Sequence, residues 1–436
     1  MSTLSTLNLA ALQEAVAGDA VAIRGKALLE PAGGPGDKVF PPSHQVDDRS
    51  KEPGAKYARE DRRLPGGEVV HCVLLDSVQS QANRMEEALQ ALWADKRIVL
   101  PVISVSFADV APDVGVVTSL SAPHRVADAL LRDSLLDGKL FRLSELGKSF
   151  TYSSVRNAAP LFGVCPTGLV FGLWDSTGPK GGLGAKFARA LVSEIVGFGA
   201  EAGVKTSSRI DPAGIMKDAG PVFVAKERDA DGNLTWTHDV LQAEPLDAKK
   251  PPKTPDQIEL VRKWGKKDKA GKPSAIVHGN IAPSLDEVAG GVTIDHAEQT
   301  VVLSLAALRR LLFGGGDVEA RTVLAALGLL AVVATEDRGL DLRSRCLLVP
   351  QKDGALKLEL IAKDGKTTPF ELDLKGAVEL YEAAVAALPP ELRFKKGKDP
   401  LQPGETLAQL QPSDKLKHLV VKSRELTAAG AEIEDS

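Results

Sequence analysis

The chain has 436 residues, 43% of them hydrophobic and 26% charged, an ordinary globular composition with enough apolar side chain to bury a core. Its formal net charge of −4 excludes a globally basic nucleic-acid binder, so any surface for a polyanion must be a local patch. Three widely spaced cysteines, Cys72, Cys165 and Cys346, form no CxxC pair, which argues against structural zinc and suits small buried hydrophobes in a reducing cytosol.

Met1 to Leu9 lacks a basic region followed by an apolar stretch, so no signal peptide is expected. Val21 to Leu29 and Glu68 to Leu75 read as strands, the second a Val/Leu run typical of a buried one. Between them, residues 31–67 are crowded with Pro, Gly and charge and read as an inserted loop. Asp76 or Ser77 then caps a helix whose Val78, Ala82, Met85, Leu89, Leu92 and Trp93 share a stripe. Gln79, Ser80, Asn83, Arg84 and Glu87 take the opposite face. His124 to Leu136 reads as a second amphipathic helix, Thr167 to Trp174 as a strand, and Leu183 to Val196 as a helix burying Leu183, Phe187, Leu191 and Ile195.

Residues 225–274 read as a second insertion. From Lys249 to Lys272, nine basic residues face only Asp256, Glu259 and Asp268, a local net of +6. Such charge suits either a solvated loop or an arm on a polyanion, and both readings stay open. Further on come a strand near Val301 to Leu305, a helix from Val318 to Thr335, a strand around Arg345 to Val349, a hairpin within Leu356 to Leu372 and a helix from Gly376 to Leu388. Residues 389–436 read as a peripheral C-terminal segment. The longest apolar run, Thr322 to Thr335, is 14 residues, short of the ~20 that span a bilayer, so no membrane partner and a cytoplasmic location are expected. No internal repeat is present. Although length alone allows two or three domains of about 150 residues, the mixed order of elements reads as one discontinuous α+β body over residues 1–436.

The most informative segment is Leu173 to Arg189, LWDSTGPKGGLGAKFAR. Four glycines between an expected strand and an expected helix let backbone N–H groups approach an anion, and a helix N-terminus adds partial positive charge. Lys180, Lys186 and Arg189 supply full charges around Gly181 and Gly182. No lysine completes the nucleotide loop GxxxxGK[ST], and Phe187 spoils the dinucleotide fingerprint, so the ligand is read as a polymer backbone; a plain glycine turn is the competing reading. Asn83 and Arg84 suit phosphate, sugar hydroxyl or base edges. Arg125, with His124 and Arg132, sits at an expected helix start, where cations are disfavoured unless an anion or Asp128 answers them. Arg343 and Arg345 precede an apolar strand and can line a groove, and Asp317 after the Phe313–Gly316 turn reads as an N-cap. There is no HExxH or GxSxG; His71 beside Cys72 reads as a core residue, and Asp76 and Asp175 lie at strand ends with no spacing that pairs them.

The segments DSVQSQANRMEEAL, HRVADALLRDS, FGLWDSTGPKGGLGAKFARALVSEIVG and LDLRSRCLLVP occur in that order between Asp76 and Pro350. Together they resemble the backbone subunit of type I-G (formerly I-U) CRISPR Cascade complexes, a family of the RAMP superfamily. The resemblance implies a ferredoxin-like (RRM-like) palm with large finger and thumb insertions. It implies that several copies line up along one guide RNA (crRNA), gripping its backbone and presenting its bases to target DNA, beside other Cascade subunits. It implies no catalytic residue, no metal and no cofactor, since a separate helicase-nuclease does the cutting. Type III relatives cut RNA with a loop aspartate, which no position here matches. Both lines place RNA phosphates at Lys180, Gly181, Gly182, Lys186 and Arg189, then at Asn83, Arg84, Arg125, Arg343 and Arg345. Two alternatives remain: a RAMP-type metal-dependent endoribonuclease using Asp76 or Asp175, and a phosphate-binding metabolic enzyme.

Overall fold

A computed structural model describes residues 5–44, 57–177, 185–207, 222–230, 234–239, 241–243, 284–286 and 290–428. The chain divides into two compact units, Met1–Gly203 with Gly291–Val420, and Val204–Gly290 with Val421–Ser436.

The first unit is built on a 10-stranded sheet. Its strands are β1 (Ser5–Thr6), β2 (Ala20–Pro31), β3 (Arg59–Arg63), β4 (Val69–Asp76), β5 (Leu191–Phe198), β6 (His296–Ser304), β7 (Leu340–Asp341), β8 (Leu347–Pro350), β9 (Lys357–Ala362) and β10 (Thr367–Glu371). They lie in the order β1-β10-β9-β2-β6-β5-β4-β3, with β8 joining β2 to β7. Only β1 and β10 run parallel. Among the described residues, four longer helices lie wholly within this unit: α1 (Leu9–Ala17), α2 (Val78–Ala94), α3 (Asp317–Arg338) and α4 (Leu374–Ala386). The fold is thus mixed α and β on one large sheet.

Alternation decides which face of the sheet is buried. Ile23 of β2 joins Leu191, Val301 and Leu303 in one core with residues from all four helices, and Ala27 and Leu29, further along the same strand, are buried too. Gly25 sits in that row because an added Cβ would lie 3.1 Å from Leu356 and Leu358 and 3.3 Å from Val301. The opposite face carries cross-strand ion pairs, Lys26–Glu298 at 2.8 Å and Arg62–Glu194 at 2.9 Å, and a small apolar cluster of Cys72, Val196 and Phe198.

Helix α2 begins where Ser77 Oγ accepts the Ser80 N–H, and it continues on strong helix formers that bury Met85, Leu89 and Leu92. Helix α3 is the core of the unit: 15 of its 22 residues are buried, on every side. Its length and composition match a bilayer span, but 83% of its apolar window is covered by the protein itself. Gly316, not Asp317, takes the N-cap position, and Asp317 instead accepts the Phe313 N–H at 2.9 Å from the first turn.

Three expected elements are different. His124 to Leu136 is two short turns, Arg125–Ala127 and Ala129–Arg132, because Asp128 stops one and caps the next. Thr167–Val170 is a single helical turn, and only Leu173–Trp174 is extended. Of the helix expected over Leu183 to Val196, the described part from Ala185 on is extended: Lys186–Phe187 is a short strand and Leu191–Phe198 is β5, paired on both edges. The segment after residue 389 is also less peripheral than expected, since Leu392, Phe394, Leu401, Leu410 and Leu416 enter the main core. Residues 57–63, in the expected first insertion, end in β3 against β4.

The second unit contains an antiparallel hairpin, Phe223–Arg228 with Leu234–Thr237, and the pair Lys205–Ser207 with Ser284–Asp286. The basic stretch Lys249 to Lys272 lies outside the described residues.

Candidate nucleic-acid interface

The glycine-rich segment is held at both ends by a two-stranded ribbon. Leu173–Trp174 pairs antiparallel with Lys186–Phe187, Trp174 opposite Lys186, and Asp175 N–H reaches Ala185 O at 2.9 Å. Leu173, Ala185 and Phe187 are buried while Trp174 and Lys186 face out, the two-residue alternation of a ribbon. Residues 178–184, with Lys180, Gly181 and Gly182, lie outside the described residues. Lys186–Phe187, which follows these residues, is a strand, so the helix N-terminus expected there is not formed by the described residues. Any affinity must come from side-chain charge and loop amides.

The arginines around this ribbon divide into pinned and open ones. Arg142 meets both oxygens of buried Asp175 at 2.6 and 2.9 Å. Arg132 bonds Asp133 at 3.1 Å and Thr177 Oγ1. Arg189 is exposed, and among the described residues no acceptor holds its guanidinium. Burial first, then neighbouring Arg125, hold its pKa below the usual arginine value. The Lys186 ammonium likewise has no carboxylate and rests 5.2 Å from the centre of the Trp174 ring.

Arg125 is the best-anchored of the expected site residues. Its backbone takes the left-handed conformation, φ 54°, which turns the side chain inward. There Nε and Nη2 donate to Glu86 at 2.6 and 2.7 Å, and Nη1 donates to the Gly172 carbonyl at 3.0 Å. Burial pushes the Glu86 carboxyl up to about 7, against the pull of Arg125. Arg125 thus ties α2 to the residue that opens the ribbon. It opens a single 3-10 turn and not a long helix, and its partner is Glu86 instead of Asp128, which caps the following turn.

Arg84 and Arg343 converge on Asp76 at the end of β4. Arg84 Nε donates to Asp76 Oδ2 at 2.9 Å, Arg343 Nη2 to Oδ1 at 3.1 Å, and Gln81 Nε2 to Oδ2 at 2.7 Å. The carboxylate is wholly buried, and both oxygens are taken. Arg345 lies over the Phe40 ring at 4.7 Å, and Asn83 is exposed on α2. His71, expected in the core, points outward and bonds Asp61 at 2.7 Å, a pairing that raises its pKa; only Cys72 beside it is buried. Among the described residues no group of His, Cys, Asp and Glu side chains is placed to hold a metal ion.

Sequence reasoning missed Trp174, Glu86 and Arg142. Trp174 carried a usable signal, since it ends the strand that leads into the glycine loop. The partners of Glu86 and Arg142 are 39 and 33 residues away, and spacing gives no hint of either.

Residues 23–202 match the model of the family described as CRISPR-associated protein GSU0053. The match bears out the CRISPR association that the sequence resemblance pointed to. No curated protein matches the chain. The span matched by that family runs from within β2 to beyond β5 and includes α2 and the whole ribbon, and therefore Asn83, Arg84, Arg125, Lys186 and Arg189; Arg343 and Arg345 lie beyond it. A role in CRISPR defence is thereby supported.

Proposed function

We propose that this chain is the guide-RNA-binding backbone subunit of a type I CRISPR surveillance complex. In this reading its sheet and helices form a RAMP palm, further copies align along one crRNA, and other Cascade subunits complete the particle in the cytoplasm. The protein holds the sugar–phosphate chain, and base pairing reads the target DNA. The observation that carries this reading is the division of cations at the ribbon. Arg84, Arg125, Arg142 and Arg343 are spent on internal carboxylates, while Lys186, on the strand after the glycine-rich stretch, and Arg189, just beyond that strand, stay open among the described residues. Open cations beside a glycine loop, with no base-reading motif, suit a phosphate chain of any sequence.

Two arginines on Asp76 and one on Asp175 weigh against a metal-dependent ribonuclease, because a divalent ion would have to displace the guanidinium groups from these buried carboxylates. The test is to purify the protein from cells that contain its CRISPR array, extract any nucleic acid, and incubate the protein with labelled long RNA and Mg²⁺. Co-purifying RNA of defined length, protected and uncut, is expected. Cleavage of the RNA, or binding of mononucleotides without affinity for long RNA, contradicts the reading.

A further inference from the structure

Trp174 is 58% exposed, although its neighbour Leu173 and the facing Phe187 are buried in the core. Of the other described tryptophans, Trp236 is as exposed, at 58%, and Trp93 is not. Trp93 is half-buried and donates its indole N–H to Glu405 O at 3.3 Å, and Trp236 in the second unit stands edge-on to His238 at 5.2 Å. Among the described residues Trp174 has only the Lys186 ammonium, directly across the ribbon, against its ring. Exposing an indole this far leaves apolar area in water, at about 25 cal/mol per Å². The short ribbon, pinned through Asp175 to Arg142, keeps the ring on a fixed frame next to the glycine loop. A flat aromatic surface with a cation at its side is the arrangement that stacks one nucleobase and neutralises an adjacent phosphate.

We infer that Trp174 is a stacking platform for a nucleobase of the bound single strand, with Lys186 on the phosphate beside it. The inference rests on the RNA-binding function proposed above and adds a base contact to what is otherwise backbone recognition. Stacking tolerates any base, so the contact adds affinity without reading sequence.

The experiment compares two ligands of equal length and charge, a single-stranded homopolymer RNA and its abasic ribose-phosphate counterpart, on the full-length protein. Trp174→Ala is expected to weaken the base-containing RNA about 5- to 150-fold, with an unchanged salt slope. It is expected to leave the abasic ligand unaffected, and Trp174→Phe is expected to keep most of the affinity. Lys186→Ala is expected to weaken both ligands alike. Equal losses on both ligands in Trp174→Ala, or no loss on either, overturn the stacking assignment while leaving the phosphate track standing. If the wild-type protein binds neither ligand, the proposed function itself falls.

Discussion

Arg125 grips Glu86 with two guanidinium nitrogens, Nε on Oε1 at 2.6 Å and Nη2 on Oε2 at 2.7 Å, both side chains inside the protein. With its third donor on Gly172 O, Arg125 joins helix α2 to the base of the loop-bearing ribbon. The cation is therefore a positioning residue for the interface, not a phosphate ligand.

Removing the carboxylate leaves that guanidinium buried and unanswered. Glu86→Ala is expected to cost about 3–5 kcal/mol, read as a shift in the urea midpoint. The same group sets a pH dependence. Its folded pKa is about 7 against an ordinary 4.5, so between those values the folded state binds more protons than the unfolded chain. Its contribution to stability is complete below pH ~4.5 and drains away as the pH rises through ~7. Glu336, also raised by burial, adds a slope of the same sign, so the measurement is the difference between wild type and Glu86→Gln from pH 4.5 to 8, in which the Glu336 part cancels and the Glu86 part remains.

Asp76 holds Gln81, Arg84 and Arg343 together at the junction of β4 and α2. Asp76→Ala is expected to lower stability by about 3–5 kcal/mol, because two guanidinium groups lose a buried counter-ion. RNA affinity per folded molecule is expected to change little. Chemical denaturation and binding on the same preparation separate the two effects; a large affinity loss in a fully folded variant contradicts the structural role given to Asp76.

Gly172 takes φ 89°, and an added Cβ would lie 3.0 Å from Arg189 Cγ and 3.2 Å from Phe187 O. Gly172→Ala is expected to cost about 1–3 kcal/mol through backbone strain and to displace Arg189. The check is thermal unfolding together with RNA affinity, which should both fall, whereas Gly138→Ala, also at positive φ but with open space around its Cβ, should cost stability only.

Much of this was legible in the residues, and the failures have physical causes. The Val/Leu run of β4, the Ser77 cap and the apolar stripe of α2 each state their element locally. Phe187, Leu191 and Ile195, by contrast, are spaced by four, which fits a helix face and also alternate steps of a strand. The residue that would have decided between them, Ser193, looks polar and exposed but is buried, donating to Gln81 Oε1 at 2.8 Å. The arginines misled for a related reason. Sequence shows where positive charge is but not which carboxylate consumes it, so Arg84, Arg125 and Arg343 stayed among the expected phosphate ligands, ranked behind Lys186 and Arg189. Only the fold, by bringing Asp76 and Glu86 to them, separates the pinned from the open.

The central claim, a phosphate track indifferent to base sequence, is tested most directly by measuring affinity for two RNAs of unrelated sequence across a salt series. The measurement uses the wild type and the double variant Lys186→Ala with Arg189→Ala. The account predicts equal affinities for both RNAs, and a log–log salt slope shallower by about 1.4 in the variant, ~0.7 for each lost phosphate contact on a single strand. An unchanged slope, or a wild-type protein that ignores both RNAs at low salt, would contradict it.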